Sequence, residues 1–185
     1  MRRMALSDPM IFLIEDFLTP AECRELIDLA EGIGFVDAPI TTRHGPQMRK
    51  DIRNNTRILH EDHALAARLF ERALPSLVPS WTFRRPVGFN ELFRFYKYEP
   101  GQRFAPHFDG HYERPSGERS EFTFLIYLND DFRGGCTRFF KPELISVHPQ
   151  TGAVLVFQHH QLHEGATIDE GIKYVLRTDV MYGGG

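Results

Sequence analysis

The sequence predicts an α+β, mainly β fold in which two helices pack outside a core of two stacked sheets, as in a sandwich or jelly roll. Three observations carry this. Short β-like runs separated by turn residues follow one another after Trp81. Twelve of the 16 phenylalanines lie after Trp81, seven of them in those runs, where aromatic rings suit a half-buried pleated surface. Two segments of helical period precede them.

Ile11 to Leu18 is an apolar strand candidate that runs into Thr19-Pro20-Ala21-Glu22. There Thr can cap, Pro can take the first helical position and Glu can complete a capping box, so a helix should follow. Cys23, Leu26, Ile27 and Ala30 form its apolar stripe, Glu25, Asp28 and Glu31 its polar face, and Gly32 and Gly34 its stop signals. Ala38 to Asn55 has no sustained period and contains Pro39, Gly45 and Pro46, which reads as a long loop of the kind that often carries function. A second helix is expected from about Asp62 to Leu74, with Leu65, Leu69 and Ala73 on one side and Pro75 and Pro79 ending it. The strand candidates are Leu92 to Tyr98, Phe122 to Leu128, Thr137 to Phe140, Ile145 to His148, Val154 to Phe157 and Lys173 to Tyr182. Residues 1–185 thus read as one domain, with 11–80 supplying an N-terminal strand and supporting helices and 81–182 the β core.

Composition sets limits on function. A hydrophobic fraction of 42% and a charged fraction of 25% are those of an ordinary globular protein, and no segment approaches the ~18 apolar residues of a membrane span. Asp8, Pro9, Glu15 and Asp16 interrupt the apolar N-terminus before a signal-like segment forms, so a cytoplasmic location is the default expectation. Cys23 and Cys136 are too few for a disulfide framework or a zinc ribbon, which leaves histidine and carboxylate to hold any metal. A net charge of -3 gives no general attraction to nucleic acid, although Thr41 to Arg57 is locally basic.

The informative segment runs from Tyr98 to Asp109. In an extended chain alternate residues face one side, so His107 and Asp109 can present an imidazole and a carboxylate to one ion. A third ligand must come from elsewhere, and His163, in Gln161-Leu162-His163-Glu164-Gly165, is the candidate. Two histidines and one carboxylate on one face of an octahedral ion leave three open positions, the arrangement of non-haem Fe(II) oxygenases. Zinc in several hydrolases uses the same donors, but no general base for water activation is visible. Among nine histidines, His-x-Asp alone is a weak signal.

Context strengthens it. Tyr98 and Pro100-Gly101 precede the His-x-Asp; Thr123 in Phe122 to Asp130, Gly134-Gly135-Cys136-Thr137-Arg138-Phe139, Val147-His148-Pro149 with Gly152, His163-Glu164-Gly165 and Gly171-Ile172-Lys173 follow. In order and spacing this resembles the prolyl 4-hydroxylase-like branch of the Fe(II)- and 2-oxoglutarate-dependent dioxygenases from residue 92 to 182, and Asp16-Phe17-Leu18-Thr19 with Glu22-Cys23 looks like that family's entrance to its first helix.

The resemblance implies a double-stranded β-helix (jelly roll) core, with His107, Asp109 and His163 as the metal and catalytic triad. It implies Fe(II), 2-oxoglutarate and O2, with ascorbate as an auxiliary reductant. The 2-oxoglutarate would chelate iron through its 1-carboxylate and keto oxygen, and the reaction would hydroxylate a C–H bond while releasing succinate and CO2. Lys173, ten positions beyond His163, takes the family's place for the cation that holds the distal carboxylate, and Tyr98 and Thr123 can supply hydroxyls to the co-substrate. Arg177 competes with Lys173. The two share a strand face about 13 Å apart along it, so Arg177 is assigned to the substrate side or to a pair with Asp179.

His159 and His160 read as solvent-facing or supporting groups, and His111 as a surface residue near the mouth. Gly134-Gly135 and Gly152 read as turn residues alone, and Thr137 and Phe139 should share one strand face. Arg53-Asn54-Asn55-Thr56-Arg57 and Asn90 to Arg94 carry polar groups that could face a substrate, and the loop before the first could act as a lid. A prolyl side chain in a peptide and a small metabolite are the substrate candidates, with neither membrane nor nucleic acid expected as a partner. Two rival readings stand beside this one. A nucleic-acid dealkylase would share the iron chemistry but needs a basic groove, and a cupin-like metal-binding sensor would share the fold without turnover.

Overall fold

The computed structural model describes residues 1–42, 45–140 and 143–184. The chain begins with β1 (Arg2–Ser7), β2 (Ile11–Glu15), α1 (Pro20–Ile33), β3 (Val36–Asp37), β4 (Ile40–Thr42), β5 (Gly45–Gln47), β6 (Thr56–Glu61) and α2 (His63–Ala73). It continues through β7 (Arg85–Phe89), β8 (Leu92–Tyr98), β9 (Phe104–His107), β10 (Arg119–Tyr127), β11 (Arg133–Gly134) and β12 (Thr137–Phe139). It ends with β13 (Ile145–Val147), β14 (Val154–Gln158), β15 (His163–Gly165), β16 (Ile168–Glu170) and β17 (Lys173–Gly183).

Among the described residues a nine-stranded sheet runs β1-β2-β14-β10-β17-β8-β6-β3, with β7 also paired to β17, and a four-stranded sheet runs β13-β12-β15-β9. Two small ribbons, β11-β16 and β4-β5, complete the pattern. The major sheet faces the minor one, which is the jelly-roll core expected from the sequence.

Strict two-residue alternation divides the apolar residues of the major sheet between its faces. Phe93, Phe95, Phe122, Phe124, Val154, Val156 and Leu176 form one buried cluster with Leu65, Leu69 and Ala73 of α2 and Cys23 and Ala30 of α1. Their neighbours Tyr96, Tyr98, Tyr127, Leu155, Phe157 and Val175 form a second cluster with Phe139 and Val147 of the minor sheet. The polar residues Lys173, Arg177 and Asp179 share the parity of Val175 along β17, and so enter the space between the sheets, where the site lies.

The helices form as the sequence predicts. Thr19 accepts from the Glu22 N–H while the Glu22 side chain caps Thr19, Pro20 opens α1, and Gly34, at φ 92°, ends it. Asp62 caps α2 by accepting from Leu65 N at 2.8 Å. Arg72 ties the two helices to the β core, reaching Glu22 at 2.7 Å and the Phe17 carbonyl at 3.0 Å.

Several boundaries differ from the sequence expectations. Ile11 to Leu18 is a strand only to Glu15, because Asp16 turns the chain at φ 54°. The stretch expected as an unbroken loop contains the β4-β5 hairpin, whose connection lies outside the described residues. β1, β2, β3 and β6, all before residue 81, also join the major sheet. Gly152 does more than turn the chain. Its carbonyl accepts from Phe17 N and Leu18 N, and a Cβ there would stand 2.0 Å from the Leu18 oxygen.

Candidate active site

The site lies where the edge of the minor sheet meets the inner face of the major sheet. His107 ends β9 and His163 begins β15, and the two are direct partners in the β9-β15 register. Asp109 lies two residues beyond β9, held by its backbone N–H to the His159 carbonyl at 3.2 Å. One ligand atom from each of His107, Asp109 and His163 lies within 4.8 Å of the others. Asp109 Oδ1 is 3.8 Å from His107 Nε2, and its Oδ2 is 3.8 Å from His163 Nε2.

Both imidazoles are oriented by their own backbone. His107 Nδ1 meets the Ala105 carbonyl at 2.8 Å and His163 Nδ1 meets the Gln161 carbonyl at 2.9 Å. Because a carbonyl only accepts, each Nδ1 carries the proton and each Nε2 lone pair faces the centre. The His107 ring stacks on Phe104 with centroids 3.5 Å apart, which fixes its plane. Burial, with His163 adding to it, pushes His107 down to about 3, and burial lowers His163 as well. Both rings are therefore neutral ligands at neutral pH. Burial alone would raise the Asp109 carboxyl, but Arg177, followed by His163 and His107, holds it below the ordinary carboxylate range. Two neutral imidazoles and an ionised carboxylate, all aimed at one point, suit Fe(II).

Behind the triad, Asp109 is held by Thr123 Oγ1 at 2.6 Å and by Arg177 Nη1 at 3.1 Å. Thr123 also meets His159 Nδ1 at 3.1 Å, and His159 Nε2 meets Ser120 at 3.0 Å. Thr123 thus directs its hydroxyl to a triad member and to His159. Of the two readings open for His159 in the sequence, the buried supporting group is the one observed. Arg177 also pairs with Asp179 at 3.0 Å, and Asp179 is further held by Arg94 at 3.0 Å and Asn90 at 3.3 Å.

Two cavities meet at the triad. The inner one is a slot of about 40 Å³, lined by Tyr98, Leu125, Thr137, Gly165, Lys173 and Val175 in addition to the triad. Lys173 is 4% exposed, and its Nζ donates to the Gly135 carbonyl at 2.5 Å. No carboxylate among the described residues pairs with it, and burial pushes its ammonium down to about 7. Tyr98 lies opposite Lys173 in the β8-β17 register, and burial pushes its phenol up to about 12. Gly135, expected only to turn the chain, also presents its carbonyl to Lys173, and a Cβ there would stand 2.4 Å from Ile168.

The outer cavity, about 520 Å³, shares His107 and Asp109 with the slot. Pro39, Ile40, Ile52 and Phe108 give it an apolar wall, and Arg53, Arg57, Arg94 and Arg177 a cationic one, with His111 at its edge. Sequence reasoning singled out the stretch Arg53 to Arg57 but did not foresee that Arg53 would be buried, its guanidinium 4.5 Å from the rings of both Tyr96 and Phe104. Burial would raise the Tyr96 phenol, but Arg177, Arg53 and Arg94 together hold it below its ordinary value, a sign of strong positive potential here.

A family model described as 2OG-Fe(II) oxygenase superfamily matches residues 93–178. Prolyl 4-hydroxylase 1 of Arabidopsis thaliana is 28% identical over 134 residues, covering 71% of this chain and 47% of the plant protein. The chain thus spans about half the length of that relative. A prolyl-4-hydroxylase of Pseudomonas putida superposes with a TM-score of 0.69 at 20% identity, covering 95% of this chain and 94% of that one. A prolyl hydroxylase of Trichoplax adhaerens, solved with a peptide fragment of the hypoxia inducible factor oxygen degradation domain, gives 0.70 at 16% identity, covering 95% and 84%. The His-Asp-His convergence, the family match over residues 93–178 and these relatives agree in making the chain similar to prolyl hydroxylases of the 2OG-Fe(II) oxygenase superfamily.

Proposed function

We propose that this chain is an Fe(II)- and 2-oxoglutarate-dependent dioxygenase that hydroxylates an aliphatic C–H bond of a peptidyl substrate, with a prolyl residue the first candidate. The carrying observation is that three converging ligand atoms adjoin a slot lined by a buried lysine with no carboxylate partner among the described residues, and that two of the three also line a wider cavity. The peptide bound to the Trichoplax relative supports the peptidyl choice.

In this reading His107, Asp109 and His163 hold the ferrous ion, which with 2-oxoglutarate and O2 supplies the oxidising chemistry that yields succinate and CO2. Lys173 receives the distal carboxylate of 2-oxoglutarate, exchanging its bond to the Gly135 carbonyl for a charge-assisted one. Tyr98 supplies a hydroxyl along the slot. Thr123 and Arg177 keep Asp109 ionised and oriented, which makes them positioning residues. Ile52, Phe104 and Phe108 exclude water on the side where the substrate enters.

The test is an anaerobic titration of the protein with Fe(II) and 2-oxoglutarate. A weak visible charge-transfer band is expected, followed on exposure to air by succinate, with ascorbate as auxiliary reductant. Absence of both signals, with Fe(II) bound, would leave a metal-binding module without turnover.

A further inference from the structure

The outer cavity carries more positive charge than its surroundings neutralise. Of its four guanidiniums, Arg177 pairs with Asp109 and Asp179, and Arg94 pairs with Asp179. Arg53 and Arg57 pair with no carboxylate among the described residues. Arg53 is 4% exposed, with Nε bonded to the Asn55 side chain at 2.7 Å and Nη2 buried without a hydrogen-bond partner. Arg57 stands opposite Tyr96 in the β6-β8 register. Burial lowers its guanidinium; Tyr96 acts against this, and the like charges of Arg53 and Arg94 add to the lowering. Desolvated cations brought together without a counter-charge destabilise a fold, and they persist where a ligand supplies that charge.

We propose that the substrate carries a carboxylate close to the aliphatic carbon that is hydroxylated, and that Arg57 and Arg53 hold this carboxylate. The inference rests on the oxygenase reading and narrows its substrate class. A guanidinium presents a planar fork that matches a carboxylate, while Ile40, Ile52 and Phe108, which line the same cavity, suit an aliphatic body. This carboxylate is distinct from that of the co-substrate, since Lys173 lies in the inner slot and Arg57 lines only the outer cavity. A cavity of about 520 Å³ admits a small acid or one to two residues of a peptide. The acid is therefore either a free acylated amino acid or an acidic residue flanking the target in a peptide, and both present the same group to the arginines.

The experiment is calorimetric titration without O2, with Fe(II) and saturating 2-oxoglutarate present. It uses two matched pairs: N-acetyl-proline against N-acetyl-prolinamide, and end-blocked Gly-Glu-Pro-Gly against Gly-Gln-Pro-Gly. The acid of at least one pair should bind about tenfold tighter than its amide, and which pair responds separates the small acid from the peptide. Arg57→Gln should bring the ratio towards one, and Arg57→Lys, which keeps the charge, should retain part of it. Equal binding of acid and amide in both pairs, or a preference that survives Arg57→Gln, overturns the inference. Succinate release is measured on the same preparations. Its absence beside an intact acid preference would sink the oxygenase reading alone, and its presence without that preference would sink only the substrate class.

Discussion

Arg177 Nη1 lies 3.1 Å from Asp109 Oδ1 while Nη2 of the same side chain lies 3.0 Å from Asp179. One guanidinium thus balances two buried acids, one of which belongs to the His107-Asp109-His163 cluster. Removing it leaves both acids poorly compensated. Arg177→Leu should destabilise the protein by about 3–5 kcal/mol, the usual cost of breaking a buried charge network. Chemical denaturation of the metal-free protein reads this directly, and a loss below about 1 kcal/mol would show that solvent or Arg94 takes over the charge.

The triad makes a simpler prediction. His107→Ala, Asp109→Ala and His163→Ala should each abolish 2-oxoglutarate decarboxylation and reduce bound iron, while far-ultraviolet circular dichroism stays native. Metal analysis together with succinate release tests it, and retention of stoichiometric iron in any of the three would remove that residue from the ligand set.

Lys173→Ala should raise the 2-oxoglutarate concentration needed for half-saturation by roughly 10- to 150-fold, corresponding to a charged hydrogen bond of about 1.5–3 kcal/mol. The maximal rate at saturating co-substrate should change less. Unaltered half-saturation would transfer the role to Arg177.

Lys173 also sets a pH dependence. Burial brings its ammonium from the ordinary 10.5 to about 7 in the ligand-free protein, and a bound carboxylate would raise it again. Above about 7 the free protein must take up a proton to bind, so affinity for 2-oxoglutarate should fall with rising pH by at most about tenfold per unit. Below about 7 this dependence should vanish. The same shift has the opposite sign for ligand-free stability. Between about 7 and 10.5 the unfolded chain holds the proton more tightly, so the Lys173 contribution makes the fold more stable as pH rises. Dissociation constants across pH 6 to 9, measured in buffers of different ionisation enthalpy, test the binding half. A profile that stays just as steep in Lys173→Arg would assign it to another group.

Gly152→Ala should cost about 1–3 kcal/mol, because φ 79° is unfavourable for alanine and the new methyl would meet the Leu18 oxygen. A thermal melt of the ligand-free variant reads this; a midpoint unchanged from the parent would mean that the Leu18 backbone moves aside freely.

The legible parts of the sequence were those where one local rule sufficed. The capping box at Thr19 and Glu22, the alternation in β8, β14 and β17, and the pairing of His107 with Asp109 each reside within a short window. What stayed hidden depended on contacts between distant segments. The burial of His159 follows from its meeting Ser120 and Thr123 across the β10-β14 pair. Arg53 owes its burial to Tyr96 and Phe104, which come from two different sheets. Strands such as β15 and β16, each of three residues, are too short to show a period at all.

The His107–His163 pairing has a mechanical corollary. Among the described residues β9 ends the order of the minor sheet, with β15 as its strand partner there and Arg53 bridged to Phe104 on its other side, so an ion shared by the two opposed imidazoles would act as a rivet across the β9-β15 seam. Chelation should then loosen the seam more than the helices, seen as faster amide exchange from Phe104 to His107 against an unchanged α2. Metal loading would then also tighten the wall of the outer cavity that His107 lines, coupling occupancy of the site to the stiffness of its surroundings.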